Sequence, residues 1–381
     1  MRILHVTRSI DPAMGGPVEF LRLITEAHAE QGVSSEVVTL DAPDSPFFDG
    51  WPVCVTGCGP GAGVYGRRDG FKSELIRIAK KFDAIVVHGL WQYHGLCVRR
   101  LAEELTIPYY VFPHGMLDHW FKNRFPIKHI KKQLYWWVAE RRILQSAERV
   151  LFTAEFERRR SLQTFWPAAR YRSAILPLGV KAGPKNVERD IALFYDRFPE
   201  RRGRPFILFL GRLHSKKGCD LAIKGIGRLD LVIAGPEEDL VYVRRLKQSA
   251  TGLAVTFAGQ VQGALKIGAL AAADALILPS HQENFGMVIA EALSFGLPVL
   301  ISNQVPMADE IEARGAGFVE ADTLEGVKRL IQRWLSADQA AMRHAARRCF
   351  EELFDIRRTA TTMLEIMGQA GHESLDAHRV Q

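Results

Sequence analysis

The chain has 381 residues, enough for two domains of about 150 residues each. Apolar residues make up 47% of it and charged residues 24%, a balance typical of globular proteins and not of disordered ones. The five cysteines are odd in number and mostly far apart, which argues against a disulfide framework and indicates a cytoplasmic location. No apolar run approaches the roughly 18 residues of a membrane-spanning helix, and the N-terminus predicts a strand and not a signal peptide.

The net charge of +7 is concentrated in one segment of the chain. Residues 122–172 hold 13 basic and 4 acidic side chains, whereas residues 1–121 hold 11 basic and 14 acidic ones. The remaining residues are nearly balanced. A local basic segment predicts a local anionic partner, and no nucleic-acid recognition motif accompanies it. We therefore expect no nucleic-acid partner.

Short apolar segments rich in β-branched residues recur along the chain. They predict parallel strands buried on both faces, because a half-exposed strand would alternate between apolar and polar residues. These predicted strands are Ile3–Thr7, Val37–Leu40, Ala84–Val87, Tyr109–Phe112, Val150–Phe152, Ile175–Leu176, Phe206–Leu210, Leu231–Ala234, Val255–Phe257, Ala275–Leu278 and Val299–Ile301. Helical periodicity between them covers Val18–Gln31, Lys72–Phe82, Leu96–Leu105 and Leu265–Ala273. The alternation predicts an α/β fold with right-handed crossovers.

The division between the domains is predicted near residues 181–204, which are rich in Gly, Pro and charge. This gives a Rossmann-like N-terminal domain over 1–180, a linker over 181–204 and a second Rossmann-like domain over 205–356. A C-terminal helix and tail follow over 357–381. We expect two doubly wound parallel sheets facing a central cleft, with ligands bound outside the carboxyl ends of the strands.

Two loops that follow predicted strands carry residues suited to an anionic ligand. Gly15 and Gly16 precede a helix, where a backbone free of side chains can approach an anion, although a tight turn would equally require them. In the second domain, Arg212 and Lys217 follow a buried strand and can place two cations on one phosphate, unless the loop is simply a solvated basic one.

The most informative segment runs from residue 279 to residue 298. After a buried strand, Asn284 is predicted as the N-cap of a helix. The N–H groups of Phe285–Val288 would then form a binding site for a diphosphate. Glu283 precedes the helix, and Glu291 lies inside it among apolar residues. A buried carboxylate without a partner is costly, so Glu291 indicates a polar ligand.

Several other chemistries are disfavoured by the sequence. Residues 57–62 match G-x-G-x-x-A, but Pro60 and the glycines after it argue against a helix in this segment. A dinucleotide-binding role, which requires that helix, is therefore disfavoured. P-loop, zincin and α/β-hydrolase motifs are absent, as is the D-x-D pair that often chelates a nucleotide-bound metal. Cys54 and Cys58 lack companion cysteines, so we expect no metal and no cofactor.

These motifs together resemble the retaining glycosyltransferases of family 4, whose fold is the two-domain GT-B type. The most specific of them is the pair Glu283-x7-Glu291. The resemblance also rests on the early Gly-Gly, the Gly-Arg-Leu…Lys-Gly loop, Ala234-Gly235-Pro236 and Phe257-x-Gly259.

The resemblance implies a role for each matching residue. Arg212 and Lys217 would neutralise the donor diphosphate, Glu283 would hold hydroxyls of the donor sugar, and Glu291 would hold the ribose. His114 would lie near the reacting anomeric carbon, with His88 as a second candidate or simply a satisfied strand-end histidine. The implied catalytic residues are Arg212, Lys217, Glu283 and His114. The implied donor-binding residues are Gly16, Gly211, Arg212, Lys217, Gly235, Val261, Glu283, Asn284, Phe285, Gly286, Met287, Val288 and Glu291.

The implied activity is transfer of a hexose from a UDP- or GDP-linked sugar to an acceptor hydroxyl, with retention of configuration and without a metal. The segment that begins at His114 is similar to enzymes that build surface polysaccharides, which suggests a growing glycan or a lipid-linked acceptor. Two alternatives remain: a GT-B-type sugar-nucleotide epimerase or phosphorylase, and a non-catalytic binder of sugar nucleotides or polyanions. Nucleoside diphosphate release that rises with an added acceptor distinguishes the transferase from both.

The basic segment contains an amphipathic pattern over residues 121–144. Ile130, Leu134, Trp137 and Val138 recur at helical spacing, with cations such as Lys131 on the opposite side. Such a helix can lie on an anionic membrane at the inner face, or it can bury its aromatic stripe in the core.

Overall fold

The computed structural model of the protein describes residues 1–118 and 126–377. The chain divides into two compact units. The first comprises Met1–Gly179 together with the C-terminal helix from Ile356, and the second comprises Val180–Asp355.

The first unit contains a seven-stranded parallel sheet in the order β3-β2-β1-β4-β5-β6-β7. Its strands are β1 (Arg2–Thr7), β2 (Ser34–Thr39), β3 (Val55–Gly57), β4 (Ala84–His88), β5 (Tyr109–Phe112), β6 (Arg149–Phe152) and β7 (Ser173–Ile175). Apart from Arg2 at the start of β1, the residues of the central strands β1, β4 and β5 are buried because helices cover both faces.

The helices of the first unit lie between these strands. They are α1 (Gly16–Glu30), α2 (Phe71–Ala79), α3 (Tyr93–Leu105), α4 (Pro126–Tyr135), α5 (Arg141–Ser146), α6 (Glu155–Ser161) and the C-terminal Ile356–Ala377. A π-helical turn over Trp136–Glu140 joins α4 to α5. Helix α1 packs against the C-terminal helix, so this helix belongs to the first unit although it follows the second in sequence.

The second unit contains a six-stranded parallel sheet in the order β10-β9-β8-β11-β12-β13. Its strands are β8 (Phe206–Leu210), β9 (Asp230–Ala234), β10 (Val255–Gly259), β11 (Ala275–Leu278), β12 (Val299–Ser302) and β13 (Gly317–Glu320). Its helices are α7 (Glu188–Arg197), α8 (Cys219–Gly225), α9 (Leu240–Ser249), α10 (Gly263–Ala272), α11 (Met287–Ser294), α12 (Ala308–Ala313), α13 (Leu324–Leu335) and α14 (Gln339–Leu353). The C-terminal helix is α15 (Ile356–Ala377).

The predicted α/β class with two doubly wound parallel sheets is confirmed. The observed domain division differs in detail, because residues 188–197 of the predicted linker form α7, which packs on α10 in the second unit. All five cysteines are free. Within residues 1–118 and 126–377, the structure contains no helix with the length and apolar character that crossing a membrane requires.

Candidate active site

The sheet of the second unit reverses its strand order between β8 and β11, which are hydrogen-bonded neighbours. Loops that leave the carboxyl ends of two such strands separate there, and this is where open α/β sheets bind their ligands. The loop after β8 carries Arg212 and Lys217, and the loop after β11 carries Glu283. The sequence-predicted residues therefore meet at the switch point of this sheet.

Lys217 and Glu283 form the central contact of this site. Lys217 Nζ lies 2.5 Å from Glu283 Oε2, and Ser280 Oγ lies 3.3 Å from the same oxygen. The Lys217 side chain is 18% exposed and that of Glu283 is 8% exposed, so the pair is largely withdrawn from water. A cation and a carboxylate are thus fixed side by side, and the geometry suits a ligand with both phosphate and hydroxyl groups.

The two loops are also joined through their backbones. The N–H of His281 donates to the carbonyl oxygen of Lys216 over 2.8 Å. Gly218 has a φ of 66°, and a Cβ added to it would lie 2.1 Å from the carbonyl oxygen of Pro279. Only glycine allows this close approach, and it places Lys217 next to Glu283.

The end of β9 is held to the end of β8 in a similar way. A Cβ on Gly235 would lie 1.8 Å from the carbonyl oxygen of Gly211. The N–H of Gly235 donates to Gly259, the last residue of β10, and Val261 is buried two residues further on. The predicted donor residues Gly211, Gly235 and Val261 therefore surround the carboxyl ends of β8, β9 and β10. Gly16, in contrast, is the first residue of α1 in the first unit.

Arg212 lies on the surface of this site. Its side chain is 63% exposed and is 3.4 Å from Glu238, so it remains available to solvent and to a ligand. Exposed ion pairs of this kind contribute little to stability and are readily exchanged.

The predicted N-cap role of Asn284 is wrong. Helix α11 begins at Met287, and its N-cap is Gly286 with a φ of 84°. Phe285 is buried with its ring 5.8 Å from that of Phe354, which anchors the turn and delays the helix by two residues. The first-turn N–H groups of the helix therefore begin at Met287 and Val288, while Phe285 and Gly286 belong to the preceding turn.

The premise that Glu291 lacks a protein partner is also wrong. Glu291 Oε1 lies 2.7 Å from Nζ of Lys266, on α10, and both side chains are partly exposed at 25% and 33%. Lys266 was not among the residues predicted from the sequence. Lys266 lies among mostly apolar residues in α10, as Glu291 does in α11. A single charged residue in each of two apolar helices was the available signal, because the two charges are opposite in sign.

In the first unit, His114 follows β5 and adopts a φ of 50°, a left-handed conformation uncommon for histidine. Its Nε2 lies 3.0 Å from Nδ1 of His88, and its ring stacks on Phe112 with centroids 4.4 Å apart. His88 Nε2 lies 3.0 Å from Nδ1 of His5, in β1. His88 is therefore a buried strand-end histidine with both ring nitrogens hydrogen-bonded.

Burial keeps these histidines neutral. It lowers the pKa of His5 and of His114 to about 3, with a smaller contribution to His5 from the nearby His28. Burial and then the neighbouring imidazoles also lower the pKa of His88. Hydrogen bonds within this group thus join neutral rings at neutral pH.

The turn after His114 is fixed by Glu157, which the sequence analysis missed. One carboxylate oxygen accepts from the N–H of Gly115 over 2.8 Å. The other accepts from the N–H and the hydroxyl of Thr153, each over 2.8 Å. Burial raises the pKa of Glu157, although these three donors act in the opposite direction. No motif marks this residue in the sequence, because its partners come from two separate loops.

The inner face of the segment formed by α4 and the π-helical turn after it is anchored by aromatic contacts. The Trp136 side chain is 2% exposed, stacks on Phe165 at 4.9 Å and donates to the carbonyl oxygen of Pro167. Glu140 accepts the N–H of Trp91, and burial raises the pKa of Glu140 to about 8. A cavity of about 180 Å³ adjoins this face and the turn after His114. It is lined by Met116, Asp118, Lys128, His129, Lys132, Thr164 and Phe165.

The outer face of the same segment is apolar and exposed. Ile127, Ile130, Leu134 and Val138 follow one another at helical spacing and are 54–74% exposed. Trp137 beside them is 48% exposed. The predicted apolar stripe therefore faces solvent, and only Trp136 of the helix aromatics is deeply buried. Residues 121–125, at the start of the predicted amphipathic pattern, lie outside the described residues.

In the part of the chain that the structure describes, no three or more His, Cys, Asp or Glu side chains are grouped so that they could hold a metal ion.

Two family models match this chain. The glycosyl transferases group 1 model matches residues 193–348, and the glycosyl transferase 4-like domain model matches residues 15–178. Together they cover most of both units. The chain belongs to the glycosyltransferases of the family 4 type, with the GT-B fold.

Relatives and solved structures agree with this assignment. The chain is 31% identical over 170 residues to the GDP-mannose-dependent alpha-(1-6)-phosphatidylinositol dimannoside mannosyltransferase of Mycobacterium tuberculosis. That alignment covers 42% of this chain and 43% of the relative, so it spans less than half of either protein.

Two solved structures share the fold over nearly the whole chain. Sucrose-phosphate synthase from Thermosynechococcus elongatus has a TM-score of 0.74 at 19% identity, covering 98% of this chain and all of the other. The HepE protein of Anabaena, solved with UDP and glucose, has a TM-score of 0.74 at 17% identity, covering 97% of this chain and all of the other.

Proposed function

We propose that the protein transfers a hexose from a UDP- or GDP-linked sugar to an acceptor hydroxyl. The observation that supports this most directly is the Lys217–Glu283 pair at the switch point of the second sheet. Arg212 and the N-terminus of α11 lie on the same two loops. Two cations, helix N–H groups and a carboxylate match the parts of a sugar nucleotide, namely its diphosphate and its sugar hydroxyls.

The proposed step needs no metal and no protein nucleophile. The bond from the anomeric carbon to the diphosphate breaks, and a bond from that carbon to the acceptor oxygen forms on the same face. The acceptor proton passes to the departing diphosphate oxygen, so configuration is retained. Arg212, Lys217 and the first N–H groups of α11 stabilise the charge that develops on the diphosphate. The same-face route is what the family resemblance implies.

Donor binding is tested by thermal unfolding with UDP-glucose and GDP-mannose in parallel. A ligand that binds only the folded state raises the unfolding temperature as its concentration rises, by mass action. We expect one sugar nucleotide to stabilise the protein, and its nucleoside diphosphate to be released faster when a glycan or lipid-linked acceptor is added. An epimerase would convert the donor without an acceptor, a phosphorylase would require free phosphate, and a pure binder would release nothing.

We further propose that the acceptor is lipid-linked and presented at an anionic membrane, as in the synthesis of surface polysaccharides. The apolar outer face of residues 127–138 supports this, because large exposed apolar patches mark interaction surfaces. Between residues 126 and 146 the chain holds five basic side chains and one carboxylate, the buried Glu140. Apolar side chains in a segment with more basic than acidic residues are what an interfacial helix requires.

Flotation of the protein with vesicles tests this surface. We expect binding to vesicles that contain anionic phosphatidylglycerol and much weaker binding to purely zwitterionic vesicles. The double variant Ile130→Ser/Val138→Ser should lose most of the binding, because both side chains are exposed and would insert into the interface. The matched control is Val64→Ser, which removes another exposed valine, 90% exposed, from the first unit. Equal binding by the double variant and the control would contradict the proposal.

A further inference from the structure

Three buried histidines form a continuous hydrogen-bonded chain across three neighbouring strands of the first sheet. His5 lies within β1, His88 ends β4, and His114 follows β5. Nδ1 of His5 lies 3.0 Å from Nε2 of His88, and Nδ1 of His88 lies 3.0 Å from Nε2 of His114. None of the three is more than 7% exposed. The family resemblance implies a role for His114 and leaves the other two unexplained.

The repeated Nδ1-to-Nε2 contact couples the tautomers of the three rings. A neutral imidazole carries one N–H and one bare nitrogen. If His88 donates from Nδ1, its bare Nε2 must accept from Nδ1 of His5, and His114 must accept at Nε2 and carry its proton on Nδ1. If His88 instead donates from Nε2, every ring carries its proton on Nε2. The histidine chain therefore has two states, and the tautomer of any one ring sets the tautomers of the other two.

The ring nitrogens at the two ends of the histidine chain distinguish these states. Nδ1 of His114 and Nε2 of His5 have no hydrogen-bond partner among the residues that the structure describes. In the Nε2–H state the unpaired N–H lies on His5, which is 0% exposed in the middle of a strand. In the Nδ1–H state it lies on His114, at the carboxyl edge of the sheet where parallel sheets bind ligands. A buried donor without an acceptor is unfavourable, so the state that a ligand can satisfy is preferred.

Packing holds the rings in these positions. Phe112 stacks on His114, and Phe20 of α1 meets the same imidazole edge-on with centroids 6.1 Å apart. At the other end His28 of α1 stacks on His5 at 6.3 Å.

We infer that His88 and His5 are positioning residues that fix His114 as its Nδ1–H tautomer, with this N–H available to donate to an oxygen of the sugar substrate. The inference rests on the proposed function and on the role that the family resemblance implies for His114. His88 and His5 act only through His114, because the hydrogen bond that one ring nitrogen of a histidine makes sets which nitrogen carries the proton.

The tautomers are tested on the whole protein by ¹⁵N NMR with labelled histidine at pH 7, which distinguishes a protonated ring nitrogen from a bare one. We expect His5, His88 and His114 all to carry their proton on Nδ1. A shared Nε2–H state, mixed tautomers or a charged ring among the three would overturn the inference. This readout needs no turnover, so its result is separate from success or failure of the proposed transfer reaction.

A pair of amide variants tests the positioning role. The amide of His88→Asn falls near the former Nδ1 and can still donate to His114, whereas the amide of His88→Gln falls near the former Nε2. We expect His88→Asn to keep most of the kcat and His88→Gln to lower kcat on the order of 10²-fold with little change in KM for the donor. Equal kcat in the two variants, whether high or low, would overturn the positioning role.

The matched control is His94→Gln. It replaces another fully buried histidine of this unit and retains an amide donor near the position of Nε2. We expect it to keep kcat and the three Nδ1–H tautomers, which separates the effect of the histidine chain from the general cost of losing a buried imidazole.

Discussion

Replacing Lys217 with methionine is expected to lower donor-dependent release of nucleoside diphosphate by about 10²–10³-fold, the usual effect of removing one group that stabilises developing negative charge. Lys217 Nζ lies 2.5 Å from Glu283, and both side chains are largely buried. Methionine retains the length of the apolar stem and removes only the cation. The measurement is kcat/KM for the sugar nucleotide that stabilises the protein against heat.

Loss of stability must be separated from loss of catalysis in this variant. Lys217→Met leaves Glu283 buried beside no cation, which lowers the free energy of unfolding. The double variant Lys217→Met/Glu283→Gln removes that unpaired charge, so we expect it to regain stability while remaining inactive. Lys224→Ala is the matched control, because Lys224 is exposed on α8 and pairs only loosely with Asp220, at 4.0 Å. Near-normal kcat/KM for Lys217→Met would remove the basis of the proposed function.

Replacing Glu291 with glutamine is expected to weaken donor binding by about 10- to 100-fold, because a ribose hydroxyl would lose a charged acceptor. Its partner variant Lys266→Met should bind the donor at least as tightly as the unchanged protein. Lys266 lies 2.7 Å from Glu291 and competes with a ligand for the same carboxylate. Donor affinity is measured by titration with the sugar nucleotide, and stability by denaturant unfolding.

The two variants break the same partly exposed ion pair, so they control for each other. Such pairs contribute about 0–1 kcal/mol, and we expect both variants to unfold at nearly the same denaturant concentration. A difference in affinity between them then reports the carboxylate and not the lost ion pair. If both variants bound the donor equally weakly, Glu291 would act through Lys266 and not through the ribose.

The fold was largely predictable because its central strands are continuous apolar segments. β3 and β13 were missed, and both are short edge strands with half-buried residues. β13 begins at Gly317, where a Cβ would lie 2.1 Å from the carbonyl oxygen of Val299. This glycine allows close pairing with β12, but in a sequence a glycine weakens the prediction of a strand.

The donor-side residues were predictable as a group, and their individual contacts were not. Lys217 and Glu283 follow two strands that the sequence does not show to be neighbours, so their contact depends on strand order. The helix after them begins at Met287 and not after Asn284, because Phe285 is held by Phe354, 69 residues further along the chain. Contacts at such sequence separation leave no local pattern.

The histidine chain could not be predicted from the sequence for a different reason. His114 and His88 were noted one at a time from their positions at strand ends. His5 was not singled out, because it lies within an otherwise apolar strand. The three come together because β1, β4 and β5 are adjacent in the sheet although they are distant in sequence. Only the sheet order shows that the three rings lie side by side.

The first and last residues of the second unit lie next to each other. The N–H of Val180 donates to the carbonyl oxygen of Phe354, and Val180 is bridged to Asp355. A Cβ on Gly179 would lie 2.4 Å from Cα of Ile356, so the chain that enters the second unit runs beside the chain that leaves it. The second unit is therefore a single insertion with adjacent ends, the arrangement that domain transplantation tolerates best. Residues 180–355 can therefore be exchanged as one continuous segment without breaking the fold of the first unit.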